Sequence, residues 1–533
     1  MPIIRNSSSG YDPRPLLLSP DLKPAEVRRL LAPYGFHDWK QADANIQLMA
    51  GDPRSRKLLA GILPDLLCAV SVTADPDRAL REWERYLDAG HARAQMFGFL
   101  AQVPHVMQLL CVLFGNSPAM AETLIRDPML VYWIEGERVL KSPPTRRRLQ
   151  AALDKSLDLV RTYERKLDAL RRFHRREMLR IGARDLFHVS SVEETVRSLS
   201  RLAEVVIHAA YRLVNDKLCK QYGIPLYRES GLRKHETGFV VLGMGKLGGG
   251  ELNYSSDVDL IYVYSPGDRR TRTARRPIGN EAFFQIMAVE LTRVLSASTS
   301  ERCLFRVDLR LRPEGSIGPL TWSSREAAAY YRTRGRTWER LALLKARPVA
   351  GQRSLGHVFL RNIRPFVVGA EEPDERHVID TVHELRARIH ESVRRKREHE
   401  RNVKLSPGGI RDIEFIVQTL QLLHAATHPQ LLEANTVAGL QRLRTLNILS
   451  DGDGRFLEEA YVFLRDVEHK LQMVHELQTH TLPARPSELT RCAIRMGYTE
   501  QPRSSATARF LARYESVRVR VQAICERVLS SSV

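Results

Sequence analysis

The chain has 533 residues, more than one hydrophobic core organises, and its 43% hydrophobic and 27% charged residues are those of a globular protein of two to four domains. No apolar run reaches the roughly 18 residues of a membrane span. The best local stretch, LLAGILPDLLCAVSV, is broken by Pro64 and Asp65, and the start MPIIRNSSSGYDPRP lacks the apolar core of a secretory signal. The net charge of +20 favours polyanionic partners, or else reflects arginine on solvated helix faces.

Residues 1–24 are rich in Ser and Pro and are expected to be poorly ordered. From 25 to 234 the pattern is helical. In SVEETVRSLSRLAEVVIHAAYRLVNDKL, Val192, Val196, Leu199, Leu202 and Val206 recur at three and four residues, and Ser191 with Glu194 makes a capping-box start. The period then changes. GFVVLGM and DLIYVY are short β-rich runs, and NEAFFQIMAVELTRVLSA reads as a helix. LFRVDLRLRP alternates, with Val307, Leu309 and Leu311 on one face and Arg306, Asp308, Arg310 and Arg312 on the other. These elements define an α+β module over 235–370. Residues 371–533 return to helical spacing, as in GGIRDIEFIVQTLQLLHA and AYVFLRDVEHKLQMVHEL, and are expected to form a C-terminal helical bundle.

Basic runs at RRTRTARRP and RRKREHER are not interleaved with the aromatic residues that single-strand nucleic-acid binders use for stacking. Six widely spaced cysteines without a CxxC pair argue against a zinc site and fit a reducing compartment, so the expected location is cytoplasmic.

Gly243-x-Gly245-x-x-Gly248 follows the first apolar run with dinucleotide-binding spacing. A dinucleotide turn must open a crossover helix of ten or more residues, and GGELNYSS is too short and too interrupted for one. Nor is this a P-loop, because Leu247 rather than Ser or Thr follows Lys246. The glycines instead precede Asp257 and Asp259, which a strand would place side by side on one face. Magnesium takes oxygen ligands and commonly keeps one or two carboxylates plus substrate phosphates. Two such ions can clamp the attacking and leaving oxygens at phosphorus. Asp308 is the candidate third carboxylate, among arginines suited to phosphate oxygens. A DxD alone is common in solvated turns, and Arg310 and Arg312 also suit an ordinary charged strand edge. The combination is what points to catalysis.

LGMGKLGGGELNYSSDVDLIYVY, FRVDLRLRPEGSIGPL, RTWERLALLKARPVAG, LSPGGIRDIEFIVQTLQLL and THTLP, in that order over about 238–483, resemble the bacterial glutamine synthetase adenylyltransferases. That resemblance implies a polymerase-β-type nucleotidyltransferase sheet, flanked by a helical N-terminal region and the C-terminal bundle. Family members carry two such halves, one removing AMP from glutamine synthetase and one attaching it. The version ELNYSSDVDL is similar to the removing half, and VLSSSV falls about where the linker to the second half would begin. The chain is therefore expected to be either a stand-alone removing enzyme or a fragment of a longer one.

The implied reaction is phosphorolysis, with phosphate attacking an adenylylated tyrosine to release ADP; ATP would be the nucleotide of the opposite direction. Asp257, Asp259 and Asp308 would be catalytic and would hold magnesium or manganese. Gly243, Gly245, Lys246, Gly248, Ser256, Arg310, Arg312, Lys345 and Arg347 would bind the nucleotide, although Lys345 and Arg347 equally suit a helix surface. Gly408, Gly409, Arg411 and Glu414 read as a plain helix start after a Pro-Gly-Gly turn. Glutamine synthetase is the implied protein substrate and the PII signal protein a possible regulator, with no membrane or nucleic-acid partner. Two other readings keep the same residues: ATP-dependent adenylylation, and a non-catalytic module that binds glutamine synthetase or PII.

Overall fold

The computed structural model describes residues 12–90, 92–228, 234–266, 278–369, 375–475, 478–501 and 504–530. The basic run RRTRTARRP lies outside them. The fold is α+β and predominantly helical, with a small mixed sheet. Among the described residues no single helix is long and apolar enough to cross a membrane.

The chain forms two compact units that do not follow the linear division expected from the sequence. One comprises the residues up to Pro143 with Met178–Ser191 and His469–Arg513; the other comprises Pro144–Glu177, Val192–Glu468 and the chain from Tyr514 on. The first unit is helical. Its helices Pro53–Ser71, Pro76–Asp88 and Pro118–Arg126 each begin with proline, and the preceding Asp52, Asp75 and Ser117 accept backbone N–H groups of the first turn. Trp83 is buried at its centre, edge-on to Phe114 at 5.3 Å. Segment 469–513 joins this unit through specific bonds. Ser117 Oγ donates to Met473 O at 2.8 Å, and Arg491 pairs with the buried Asp75 at 3.2 Å. The expected C-terminal bundle is therefore not one body. Residues 1–11 lie outside the described residues, but the rest of the stretch expected to be poorly ordered is not loose. Pro15–Leu18 forms a helical turn, and its Leu16 and Leu17 are buried.

The second unit is built on the sheet. A hairpin of β1 (Leu226–Arg228) and β2 (Lys234–Glu236) precedes it. β3 (Phe239–Gly243) lies antiparallel to both β4 (Val258–Tyr264) and β7 (Arg347–Gly351). The other edge of β4 pairs in parallel with β5 (Val307–Asp308) at its start and with β6 (Thr321–Ser323) at its end. Beyond Asp259 every residue of β4 is buried, which explains a strand that reads as a continuous apolar run. Phe239 stacks between Tyr211 of helix Val192–Tyr222 and Phe284 of helix Asn280–Ser296, each at 5.7 Å. This packing assigns Val192–Tyr222 to the sheet, not to a separate N-terminal region.

β6 hands the chain to helix Ser324–Arg334 through a capping box: Ser323 Oγ accepts from Glu326 N at 3.2 Å, and Glu326 accepts from Ser323. Ser323→Ala should destabilise this unit by about 1 kcal/mol, read as a lowered melting temperature, without changing the geometry of the aspartates.

Candidate active site

The glycine-rich turn is a connection with close neighbours. After β3, Met244 is extended and Gly245–Gly248 makes a single helical turn. Gly245 has φ +50°, and a methyl group there would stand 2.7 Å from Asp259 Oδ2. At Gly248 a methyl group would stand 1.8 Å from Lys345 O. The glycines thus let the turn press against Asp259 on one side and the approach to β7 on the other. Gly245→Ala should cost about 1–2 kcal/mol through its left-handed backbone. The methyl would also crowd the Asp259 carboxylate, and urea unfolding of the variant measures the stability cost.

The parallel pairing of β4 with β5 sets Asp259 directly opposite Asp308, one step after Val258 opposite Val307. Asp257 lies just before β4. Its Oδ1 accepts from Arg306 Nε at 2.7 Å, while Arg310 grips Asp308 at 2.9 and 2.5 Å. Burial, then the negative charges of Asp308 and Asp257, push Asp259 up to about 6 against the pull of Lys404 and Arg411. Arg310 holds Asp308 below the usual carboxylate range.

Among the described residues no three His, Cys, Asp or Glu side chains already close around one point, because Asp257 and Asp308 are turned toward these arginines. The donor set nevertheless fits a hard divalent cation. Asp259 and Asp308 lie opposite each other on two adjacent strands, Asp257 stands just before one of them, and the central carboxylate is costly to charge without a cation.

β5 is shorter than the alternating sequence predicts. Asp308 Oδ1 accepts from Arg310 N at 2.8 Å, and the chain turns away. Arg312 consequently leaves the Asp308 face. It is buried and donates to the carbonyls of Leu309, Gly318 and Pro319, so the structure does not offer it to a phosphate.

The remaining nominated cations also have internal partners. Lys246 is buried and donates to both carboxylate oxygens of Glu468, at 2.7 and 2.8 Å. Lys345 is buried beyond helix Thr337–Leu343 rather than on a helix surface, and donates to Glu251 and to Thr436 Oγ1, each at 2.9 Å. Arg347 opens β7, pairs with Glu204 at 2.7 Å and donates to Gly248 O and Leu247 O. These three side chains hold the glycine turn in place. Ser256 is half-buried just before Asp257. Glu414 is buried on helix Ile410–His424; burial would raise it, but Arg411, Lys345, Lys404 and Lys246 bring it down to about 2. Sequence reasoning passed over Lys404, which sits one residue before the quoted LSPGGIRDIEF block.

The family model for glutamate-ammonia ligase adenylyltransferase matches residues 107–362, which hold the glycine turn and all three aspartates. A model described as GlnD PII-uridylyltransferase matches residues 383–529. The bifunctional glutamine synthetase adenylyltransferase/adenylyl-removing enzyme of Nitrosococcus oceani is 38% identical over 398 residues, covering 74% of this chain and 40% of that protein. The chain belongs to the glutamate-ammonia ligase adenylyltransferase family. Another relative, the enzyme of the same name in Pseudomonas aeruginosa, is 37% identical over 382 residues, covering 72% of this chain and 38% of its own length. The adenylyltransferase from Thioalkalivibrio sulfidiphilus is 36% identical over 402 residues. The chain therefore spans about two fifths of the length of these family members.

Proposed function

We propose that this chain is a divalent-metal-dependent nucleotidyltransferase acting on glutamine synthetase, and that its reaction is phosphorolytic removal of AMP from an adenylylated tyrosine. The observation that carries this reading is the register placing Asp308 opposite Asp259, with Asp257 two residues away.

In the reaction an oxygen of hydrogen phosphate forms a bond to the AMP phosphorus. The bond from phosphorus to the tyrosyl oxygen breaks, and that oxygen leaves with the electron pair. The proton of the phosphate ends on the tyrosine, and the products are ADP and free tyrosyl enzyme. Asp257, Asp259 and Asp308 would hold the cation, which supplies Lewis-acid neutralisation of phosphoryl oxygens when bound. The buried setting of Asp259 strengthens every charge interaction at phosphorus. The glycine turn brings backbone against the site with no side chain in between.

The reverse reaction, transfer of AMP from ATP, uses the same residues, and the relatives' bifunctional names support testing it. The match of residues 383–529 to a PII-modifying family supports PII as the regulatory protein to add.

The purified chain, incubated with adenylylated glutamine synthetase, phosphate and magnesium, should release ADP. EDTA should stop the release and added magnesium should restore it. Label passing from ATP to the tyrosine without phosphate-dependent ADP formation would replace removal by transfer. Neither reaction under any of these conditions would remove the catalytic reading.

A further inference from the structure

The Pro-Gly-Gly turn that precedes helix Ile410–His424 plays no part in the chemistry above, yet it builds the backbone around Lys404. The buried Asn402 accepts from Leu405 N at 2.8 Å and from Lys404 N at 3.2 Å through Oδ1. Ile410 N donates to Val403 O at 3.1 Å, and Arg411 N donates to Lys404 O at 2.9 Å. Gly408 has φ +74°, gives its N–H to Asp412 Oδ2, and a methyl group there would stand 2.0 Å from Arg518 O. A methyl group at Gly409 would stand 3.0 Å from Lys404 O. Both glycines are thus required by close backbone approach, and Lys404 is launched from a support fixed on several sides.

Burial and the charge of Arg411 lower Lys404, while the negative charges of Glu468, Glu414 and Asp259 act on it in the opposite sense. Its ammonium makes no hydrogen bond or ion pair with any described residue. The other nominated or neighbouring cations are committed: Arg306 to Asp257, Arg310 to Asp308, Arg411 to Glu414, Lys246 to Glu468, Lys345 to Glu251, and Arg347 to Glu204. Lys404 is half-buried, and an ammonium without a protein acceptor there keeps its donors open to water or to an anion. A fold that fixes its backbone this firmly beside three carboxylates and leaves its donors open is arranged for an anion that arrives from outside.

We infer that Lys404 is an anion-binding residue of the active site, its ammonium holding a non-bridging oxygen of the phosphate or nucleotide phosphoryl group opposite Asp257, Asp259 and Asp308. The inference rests on the nucleotidyl transfer proposed above. It gives that reaction the positive charge that Lys246, Arg312, Lys345 and Arg347 do not supply. Lys404 would act as a point charge that strengthens its hold as negative charge builds on the phosphoryl oxygens.

The test uses the full chain with adenylylated glutamine synthetase, magnesium and varied phosphate, comparing Lys404→Ala, Lys404→Met and Lys404→Arg with Asp259→Asn. Lys404→Ala and Lys404→Met should lose about 100-fold or more in kcat/KM for phosphate, with the melting temperature kept and KM for the protein substrate little changed. Lys404→Arg should retain more activity than either, and ethylammonium should restore part of the activity of Lys404→Ala. A purely structural lysine would give neither the phosphate-specific loss nor the rescue.

Parental rates in Lys404→Ala and Lys404→Met, where Asp259→Asn is inactive, would overturn the inference and leave the proposed function standing. An active Asp259→Asn would overturn both. Should Lys404→Ala not fold, Lys404→Arg decides: retained activity supports the inference, and complete loss in a folded variant overturns it.

Discussion

If the proposed phosphorolysis is the reaction, Asp259→Asn should slow phosphate-dependent ADP release by about a thousandfold or more, because phosphoryl-type transfer depends on positioning and charge neutralisation and the central carboxylate is removed. The same substitution should make the metal-free protein more stable. Burial, Asp308 and Asp257 push the folded Asp259 up to about 6, with Lys404 and Arg411 pulling the other way. The unfolded chain loses this proton near the ordinary aspartate value, about 3.9. Between those values the folded state binds more protons than the unfolded one, so stability falls as pH rises through that window. Above it, charged Asp259 costs up to about 2–3 kcal/mol, and below about pH 4 it costs nothing. Asparagine carries no charge at either pH. With EDTA present, the variant should therefore melt above the parent at pH 7.5 and level with it at pH 4. A variant that releases ADP at the parental rate would remove Asp259 from the chemistry. An inactive variant that melts well below the parent at pH 7.5 would show that the carboxylate holds the fold instead.

The setting of that aspartate was partly visible in the sequence. A helical period giving way to β-rich runs at GFVVLGM and DLIYVY marked the sheet, since strand side chains repeat every two residues and helical ones every 3.6. The distance from the glycines to DLIYVY excluded a crossover helix, and the structure has only Gly245–Gly248 there. Asp308 could be nominated from its alternating strand, although that strand ends at Asp308 itself, because a side chain that accepts from the backbone two residues on competes with the ladder.

The cations were a different matter. A lysine in a glycine turn looks the same in sequence whether it meets phosphate or a buried glutamate, and the partner of Lys246 lies 222 residues away. Lys345 and Glu251 are 94 residues apart. Lys404 escaped notice for the same reason, since only the folded chain brings it to Asp259. Composition did not show the division into two units either, because helices on both sides of the boundary share one amphipathic pattern and differ only in what they pack against.

The pairing of Lys246 with Glu468 leads to the second large effect. Glu468→Ala should destabilise the sheet-bearing unit by about 3–5 kcal/mol, the cost of leaving a buried partner charge uncompensated. Lys246 would lose both acceptors of its ion pair, and Arg465, fully buried with its Nε 3.6 Å from Glu468, would lose its nearest carboxylate. Burial already draws Lys246 well below the ordinary lysine range even with Glu468 present. Without Glu468 it would fall further, and above that value the folded state would hold a neutral amine that costs less to bury. The loss of stability in Glu468→Ala should therefore be larger at pH 6 than at pH 9, read by hydrogen exchange of β3 and β4, which reports this unit directly.

The double variant Lys246→Met/Glu468→Leu removes both charges and keeps most of the volume, so it should recover much of the stability. It also asks a chemical question. If Lys246 serves the glycine turn and not the phosphate, the double variant should retain substantial phosphate-dependent ADP release while Lys404→Ala does not. A stable double variant with no activity would return Lys246 to the list of phosphate contacts. It would also mean that the ion pair opens when substrate binds.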